Sequence, residues 1–201
     1  MDKGMLVVLS GPSGSGKGTV LKEFLKDEDF GLSVSVTSRK PRPGDKEGVT
    51  YFFKTREEFE EMIKNDEFFE YAQFGGNYNG TPKKYVLDQI NNGKNIILEI
   101  EVQGAMQVKK AVPDAVLIFM TTPDITVLRE RLEGRQTEEQ EVVDQRIEIA
   151  LSEIEYLNCY DYLVVNDDLE KTVEDLKTVV EKAREKKRNN NEFIKKFKGE
   201  N

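Results

Sequence analysis

The sequence predicts an α/β fold, in which a parallel sheet is flanked by helices and interrupted by a small mixed α+β insertion. Short apolar runs alternate with segments of helical periodicity, which is typical of parallel strands covered on both faces. A glycine-rich loop, residues 11–19, directly follows the first apolar run. Between residues 33 and 92 the apolar runs become short and alternating, which indicates a second, smaller sheet.

Four apolar segments predict the buried strands of the parallel sheet. They are almost wholly apolar, as expected for strands covered by helices on both sides. They lie at 5–10, 96–101, 115–120 and 162–165. Between and after them, apolar residues at helical spacing predict helices at 18–26, 102–112, 123–132, 137–157 and 168–187. The polar, basic end of the chain, 186–201, is expected to be a flexible, frayed or partly helical tail.

The insertion is expected to hold short strands and two helices. Strands are predicted at 32–38, 51–53 and 68–74, where β-branched and aromatic residues are frequent. Thr55 with Glu58 three residues later forms a capping box, which predicts a helix to about Asn65. The second helix is predicted over 82–92, where a proline opens the segment and a glycine follows it.

Composition excludes several kinds of chemistry. The 201 residues carry a formal charge of -8 and include no histidine, no tryptophan and a single cysteine, Cys159. Ser-His-Asp and Cys-His catalysis are excluded because there is no imidazole base, and zinc sites built from His and Cys are excluded too. One cysteine cannot form an internal disulfide. The acidic balance argues against broad binding to nucleic acid or membranes.

The chain is expected to work in the cytoplasm. Its N terminus lacks the apolar core and cleavage site of a signal peptide. No apolar run approaches the roughly 18 residues that suggest a membrane span.

Residues 11–19 form a candidate phosphate-binding loop. The segment contains G-x-x-x-x-G-K, follows a predicted strand and opens a predicted helix. Glycines let successive backbone N–H groups point at one anion, and the helix N terminus adds positive partial charge. Lys17 supplies an ammonium for the β- and γ-phosphates of a nucleoside triphosphate. The candidate ATP-binding residues here are Gly11, Pro12, Ser13, Gly14, Ser15, Gly16, Lys17, Gly18 and Thr19.

Two arginines in the insertion form a second candidate anion site. Arg39 and Arg42 lie three residues apart in a proline-containing loop, with Ser35 upstream and Tyr51 downstream. Two guanidinium forks can grip one phosphate. Taken alone, however, such a pair is more often a solvated surface feature, so this pattern does not identify the phosphoryl acceptor.

Six stretches, in order, resemble the guanylate kinase family over about residues 4–182. They are SGPSGSGKGT (10–19), SVTSRKPRPGDKEGVTYFF (35–53), FFEYAQFGGNY (68–78), LEIEVQGA (98–105), RLEGRQTEEQ (131–140) and VVNDD (164–168). The resemblance implies transfer of the γ-phosphoryl group of ATP, with Mg²⁺, to GMP and also to dGMP. It also implies a P-loop core at 1–32 and 93–185, a GMP-binding insertion at 33–92 and a helical lid at about 131–148.

The resemblance also implies roles for individual residues. The GMP phosphate would be held by Ser35, Arg39, Arg42, Tyr51 and Asn79. The guanine would be read by Glu70, Thr81 and Glu101. The lid arginines would be Arg131, Arg135 and Arg146, and Asn166 would lie near the adenine. Charge in the transition state would be stabilised by Lys17, Arg39, Arg135 and Arg146 together with Mg²⁺. The direct metal ligands stay open, because Gly18 lacks the hydroxyl usual at its position.

Three positions depart from the family pattern. Asn79 stands where the family has a second tyrosine, Glu101 replaces a frequent aspartate, and Gln136 replaces a common glycine of the lid. Two alternatives stay open: another nucleoside monophosphate kinase, or a non-catalytic guanylate kinase-like interaction domain. The expected partners are ATP and GMP, with no nucleic acid or membrane, in a monomer or weak homo-oligomer.

Overall fold

A five-stranded parallel sheet forms the centre of the fold, in a computed structural model that describes residues 3–27, 29–134 and 140–198. Its strands are β1 (Leu6–Ser10), β2 (Phe30–Leu32), β7 (Asn95–Glu99), β8 (Val116–Thr121) and β9 (Tyr162–Val165), in the spatial order β2-β7-β1-β8-β9. All neighbouring pairs are parallel. The predicted parallel sheet is therefore confirmed.

A second, mixed sheet lies within the insertion. Its strands are β3 (Val36–Thr37), β4 (Phe52–Phe53), β5 (Phe68–Phe74) and β6 (Asn77–Pro82), in the order β4-β3-β6-β5. The pair β3–β4 is parallel, while β6 is antiparallel to both β3 and β5. The strand predicted over 32–38 is wrong as one element, because the chain passes from the large sheet to the small sheet between β2 and β3.

Strand β6 is absent from the sequence prediction, and the hairpin that precedes it explains why it forms. Gly75 and Gly76 have φ values of 56° and 79°, which suit a glycine turn between antiparallel strands. Pairing with β5 then continues from Phe74–Asn77 to Phe68–Pro82.

The predicted capping box at the start of α2 (Arg56–Lys64) is confirmed. The backbone N–H of Glu58 donates to Thr55 Oγ1 at 3.1 Å, and the Thr55 N–H donates to the Glu58 carboxylate at 2.7 Å. The buried Phe59 of this helix stacks on Phe68 and Tyr78, with ring centroids 4.4 and 5.1 Å apart. This aromatic cluster supports the face of the small sheet that points away from the candidate site.

Helices cover both faces of the large sheet. They are α1 (Lys17–Asp27), α3 (Lys83–Asn91), α4 (Val102–Ala111) and α7 (Leu169–Lys198). Helices α5 (Ile125–Glu133) and α6 (Gln140–Ile154) pack on each other in a separate cluster. Apolar side chains of α1 and α7 pack on one face, and those of α3 and α4 pack on the other. Helix α3, predicted as part of the insertion, therefore packs with the large sheet. Among the described residues, none of the helices is long and apolar enough to cross a membrane.

Helix α7 is longer than the sequence pattern predicts. The prediction ends it near Lys187, but it continues to Lys198. The Lys187 ammonium donates to the backbone carbonyls of Lys3 and Gly4 at 3.4 and 3.0 Å, which fixes the helix against the first residues of the core. The predicted tail is thus helical as far as the described residues reach.

Candidate active site

The glycine-rich loop joins β1 to α1 and lies in close contact with the core. Gly11 and Gly16 have φ values of 138° and 89°, in the region that favours glycine. A Cβ on Gly11 would lie 2.0 Å from the Met120 carbonyl oxygen, and one on Gly16 would lie 2.4 Å from the Asn166 side-chain nitrogen. Side chains at these positions would therefore force the loop away from the strand ends.

The Lys17 ammonium lies inside the loop. It donates to the carbonyl oxygens of Gly11 and Pro12 at 2.5 and 3.0 Å. Burial lowers the pKa of Lys17, and the carboxylates of Glu99, Glu153 and Glu101, in that order, partly oppose the shift. The ammonium is thus held where the loop and the helix N terminus converge, at the position predicted for a triphosphate.

Asn166 supports the loop from behind. Its buried side-chain amide donates to the Ser15 carbonyl at 2.7 Å, and the Thr172 hydroxyl donates to its oxygen at 3.1 Å. The neighbouring Arg131 donates to the Asp167 carbonyl at 3.2 Å. Asn166 thus contacts the loop directly, and Arg131 Nη1 lies 3.9 Å from where a Cβ on Gly16 would be. Contacts of Arg131 with the triphosphate and of Asn166 with the adenine stay predictions.

The small sheet presents a polar face near the large sheet. Side chains alternate along a strand, so Asn79 and Thr81 of β6 share a face, and Thr37 pairs directly with Asn79 on β3. Just beyond the end of β3, the Arg39 backbone N–H donates to the Thr37 hydroxyl at 3.2 Å, and the Arg39 guanidinium lies 5.4 Å from the centre of the Tyr51 ring. The structure therefore brings Arg39 and Tyr51 together, as predicted for a phosphate site.

A buried carboxyl–hydroxyl pair lies at the junction of insertion and core. The Thr81 hydroxyl donates to Glu70 Oε1 at 2.6 Å, and both residues are buried. Burial raises the pKa of Glu70; the hydrogen bonds from Thr81 oppose this, and the charge of Glu101 adds to it. Glu101 precedes α4 and makes no capping hydrogen bond with its side chain. Of the three residues predicted to read guanine, Glu70 and Thr81 therefore contact each other directly.

Sequence reasoning missed Gly104, on which the Glu70 carboxyl rests. A Cβ at Gly104 would lie 3.0 Å from Glu70 Oε2 and 3.1 Å from Glu70 Cγ. A glycine in the first turn of helix α4 was the available signal, because glycine is a poor helix former and within a helix can mark a close packing contact.

Replacing Gly104 with alanine is expected to displace Glu70. The added methyl group overpacks the junction, at a cost of about 1–3 kcal/mol, which outweighs the better helix propensity of alanine. We expect a lower Tm and a higher KM for GMP. Gly18→Ala is the stability control, since a Cβ there would meet Glu99 at an ordinary 3.6 Å. A Gly104→Ala protein with unchanged Tm and KM would show that the junction is loose.

The remaining predictions concern residues of the lid, 131–148. Arg135 and the departure Gln136 lie outside the described residues. Arg146 lies on α6, whose buried residues pack against Leu128 and Leu132 of α5 as a separate cluster.

Residues that sequence reasoning did not single out are Asp45, Glu99, Gly104 and Glu153. Of these, Asp45, Glu99 and Gly104 lie within stretches that carry the resemblance.

The fold and the site define a P-loop nucleotide-binding protein. A parallel strand opens into a glycine-rich loop at a helix N terminus, and an ammonium lies within that loop. A small sheet carries Glu70, whose carboxyl packs on Gly104 of the helix after β7. The family model for guanylate kinase matches residues 3–183, and the chain belongs to this family.

Named relatives agree with the family model. The chain is 53% identical over 180 residues to "Guanylate kinase" of Bacillus cereus, covering 89% of this chain and 88% of the relative. It is 51% identical over 182 residues to the protein of the same name from Latilactobacillus sakei, covering 90% of each. The crystal structure of guanylate kinase from Anaplasma phagocytophilum matches with a TM-score of 0.69 and 34% identity, covering 90% of this chain and 86% of that one.

Proposed function

We propose that this protein transfers the γ-phosphoryl group of ATP to GMP, and also to dGMP, producing GDP or dGDP and ADP. The observation that carries the proposal is the junction of the two half-sites. Glu99, at the end of β7, lies beside Gly18 of the phosphate loop, and Gly104, in the first turn of the helix after β7, lies against the Glu70 carboxyl of the buried pair. A phosphate-binding loop and a base-reading site are therefore close enough to serve one reaction. The names of the relatives support the same activity.

The base-reading role follows from the donors and acceptors of guanine. Its N1–H and 2-amino groups are adjacent donors, which suit an ionised carboxylate, and its O6 is an acceptor, which suits a hydroxyl. We assign the donors to Glu70 and Glu101, and O6 to Thr81. Because a hydroxyl has one proton, that of Thr81 would turn from Glu70 Oε1 to O6 when guanine binds. Adenine offers a lone pair at N1 and has no 2-amino group, so it would leave these buried groups unpaired. That difference argues against an AMP kinase.

The chemistry needs no general base. The acceptor oxygen belongs to a phosphate that is already deprotonated near neutral pH, so the protein has to align two anions and stabilise the charge of the transferred group. We assign this stabilisation to Lys17, Arg39, Arg135 and Arg146. Ser35, Arg42, Tyr51 and Asn79 are assigned to the GMP phosphate, and residues 11–19, Arg131 and Asn166 to ATP.

Mg²⁺ enters with ATP as part of the substrate, where it neutralises phosphate charge. The described residues contain no group of three or more acidic, Cys or His side chains arranged to hold a metal ion. The carboxylate oxygens of Glu99 lie 3.6 and 3.8 Å from where a Cβ on the loop residue Gly18 would be. Carboxylate, phosphate and water oxygens suit Mg²⁺, so Glu99 fits as a ligand through water.

Closure would protect the transferred group from water. We propose that the insertion, 33–92, and the lid, 131–148, close when both nucleotides are bound. The core is formed by 1–32 and 93–185 and includes the lid segment, and α3 of the insertion already packs on its sheet. The separate apolar cluster of α5 and α6 supports the lid as a unit.

Use of ATP supports a cytoplasmic location. For the assembly we propose a monomer or weak homo-oligomer without nucleic acid or membrane partners.

A coupled assay of ADP release tests the proposal with GMP, dGMP, AMP and UMP as acceptors. We expect rapid turnover with GMP and dGMP, and at least a hundredfold lower kcat/KM with AMP, by the rule that unpaired buried polar groups reject the wrong base by about 10⁴. Preference for AMP or UMP would assign another monophosphate kinase. Absence of turnover with all four would favour the interaction domain.

Restoring a tyrosine at Asn79 is expected to tighten GMP binding. Asn79 is half-buried on the polar face of the small sheet, opposite Thr37. A phenol reaches further than an amide and can donate to the GMP phosphate, and one hydrogen bond to a charged group is worth about a tenfold change in KM. The Asn79→Phe protein supplies the ring without the hydroxyl. Equal KM values for the tyrosine and phenylalanine variants would contradict the assignment.

A further inference from the structure

We propose that Asp45 is a positioning residue of the GMP-phosphate site. Its carboxylate holds the Arg39 side chain and the Arg42 backbone in the arrangement that receives the phosphate. This inference rests on the proposed function, because it assigns to Asp45 the orientation of two residues proposed to bind GMP.

One oxygen of Asp45 joins the two arginines. Asp45 Oδ2 lies 3.0 Å from Arg39 Nη1 and accepts from the Arg42 backbone N–H at 2.7 Å. The Asp45 N–H donates back to the Arg42 carbonyl at 3.0 Å. Gly44, with φ of 94°, permits the chain reversal that returns Asp45 to the arginines. The loop from Arg39 to Asp45 is therefore closed by the Asp45 carboxylate and by a backbone hydrogen bond between Asp45 and Arg42.

The Arg39–Asp45 pair is more enclosed than an ordinary surface pair. The two side chains are 20% and 16% exposed. The hydrogen bond from the Arg42 backbone, followed by that from Arg39, lowers the pKa of Asp45, so the carboxylate is charged at every pH at which a kinase would be assayed. A permanent charge in a half-closed loop can orient a guanidinium, which has many alternative rotamers in water.

The hydrogen-bonding contacts that Arg39 makes with its described neighbours involve Nη1 of its guanidinium. Nη1 is used by Asp45 and also donates to the Lys40 carbonyl at 2.9 Å. The guanidinium also lies 5.4 and 5.8 Å from the ring centres of Tyr51 and Phe53, which fixes its plane. The edge that carries Nε and Nη2 is the one we infer to meet the phosphate in a two-pronged contact.

Two physical effects of Asp45 have opposite signs, and a substitution separates them. As a nearby anion, the carboxylate repels the phosphate dianion, so its removal would tighten GMP binding. As a positioning group, it keeps Arg39 and Arg42 from separating before GMP arrives, so its removal would weaken binding. Solvent screens the repulsion at this partly exposed site. We therefore expect the positioning effect to be larger.

The test compares GMP with guanosine in calorimetric titrations of wild-type and Asp45→Asn proteins. Guanosine has the base and ribose but no phosphate. We expect the Kd of GMP to rise about tenfold, the lower end of the effect of one hydrogen bond to a charged group, while the Kd of guanosine changes less than about twofold. KM for GMP should follow its Kd, and kcat should fall as well, because Arg39 is also assigned to stabilising the transferred group. KM for ATP should stay nearly unchanged. Asp66→Asn is the matched control, since Asp66 makes an ion pair of 2.6 Å with Lys83 away from the loop.

A double-mutant cycle keeps the inference testable if Asp45→Asn also lowers stability. In an Arg39→Met background, Asp45→Asn should lose most of its effect on GMP, because the group that it positions is gone. Unchanged or tighter GMP binding by Asp45→Asn would overturn the inference, as would equal losses for GMP and guanosine. Wild-type protein that binds GMP without turnover would overturn the proposed function alone.

Discussion

Replacing Lys17 with methionine is expected to lower kcat for GMP phosphorylation about a hundred- to a thousandfold, the range found when one preorganised charge-stabilising donor is removed. Methionine keeps the length and apolar stem of lysine, so the loop loses the ammonium and little volume. In the structure this ammonium donates to the Gly11 and Pro12 carbonyls. The phosphates of ATP would replace these carbonyls as its partners.

Stability should not fall with activity in this variant. Burial lowers the pKa of Lys17, so the folded state holds its proton less tightly than the unfolded chain does. Stability attributable to this residue is therefore lowest while the ammonium is charged, and rises with pH between the lowered pKa and the ordinary value. Methionine removes that cost, so we expect an unchanged or slightly raised Tm at neutral pH.

The control for Lys17→Met is Lys22→Met on the exposed side of the same helix. We expect wild-type kcat from it. Steady-state kinetics with GMP and ATP, together with thermal melts, make the comparison. A Lys17→Met protein that retained more than about a tenth of wild-type kcat would remove Lys17 from the proposed transition-state site, because a single such donor is worth at least a hundredfold.

The parallel sheet could be predicted because its strands are local apolar runs. The segments around β1, β7 and β8 are so rich in apolar residues that composition alone predicts that they are buried. Strand β6 could not be predicted in this way, because Asn-Tyr-Asn-Gly-Thr-Pro is poor in strand-forming residues and is held by pairing with β5 and β3. The division of the predicted strand 32–38 into β2 and β3 could not be predicted either, because the two strands pair with distant partners in different sheets.

The same distinction applies to the site. Lys17 and the loop glycines belong to one continuous motif, so their convergence could be predicted from spacing alone. The contact of Glu70 with Gly104 joins residues that are far apart in sequence, and it depends on how the insertion packs on α4. Asp45 is closer to its partners, but its role needs the turn at Gly44, which a charged, proline-rich loop does not reveal. The resemblance assigns Asn166 to adenine, while its amide is used to support the loop.

Replacing Glu70 with glutamine is expected to lower kcat/KM for GMP roughly 10- to 150-fold, the effect of losing a charged hydrogen bond and leaving a guanine donor unmatched. Glutamine preserves the volume, and its amide oxygen can still accept from Thr81. The amide nitrogen would then face the guanine N1–H or 2-amino group, donor against donor. Glu67→Gln, on an exposed residue just before the same strand, is the matched control and should keep wild-type kinetics.

The pH dependence distinguishes a base-reading role for Glu70 from a packing role. Burial raises the pKa of Glu70, so its carboxyl takes up a proton at a higher pH than an ordinary glutamate. Since kcat/KM reports the free enzyme, wild-type kcat/KM for GMP should fall as pH drops through this raised pKa. Glu70→Gln should lack that part of the decline, although the GMP phosphate, with a pKa near about 6, affects both proteins equally.

Stability should show the opposite trend, which makes the two measurements independent. The folded state binds the Glu70 proton more tightly than the unfolded chain, so its favourable contribution is present at low pH and is lost as pH rises through the raised pKa. The Tm of Glu70→Gln should therefore match wild type in acid and equal or exceed it at neutral pH, because the neutral amide avoids burying a charge. If Glu70→Gln instead lowered Tm at neutral pH and left kcat/KM unchanged, the ionised carboxylate would serve packing, and guanine reading would have to be assigned to Glu101.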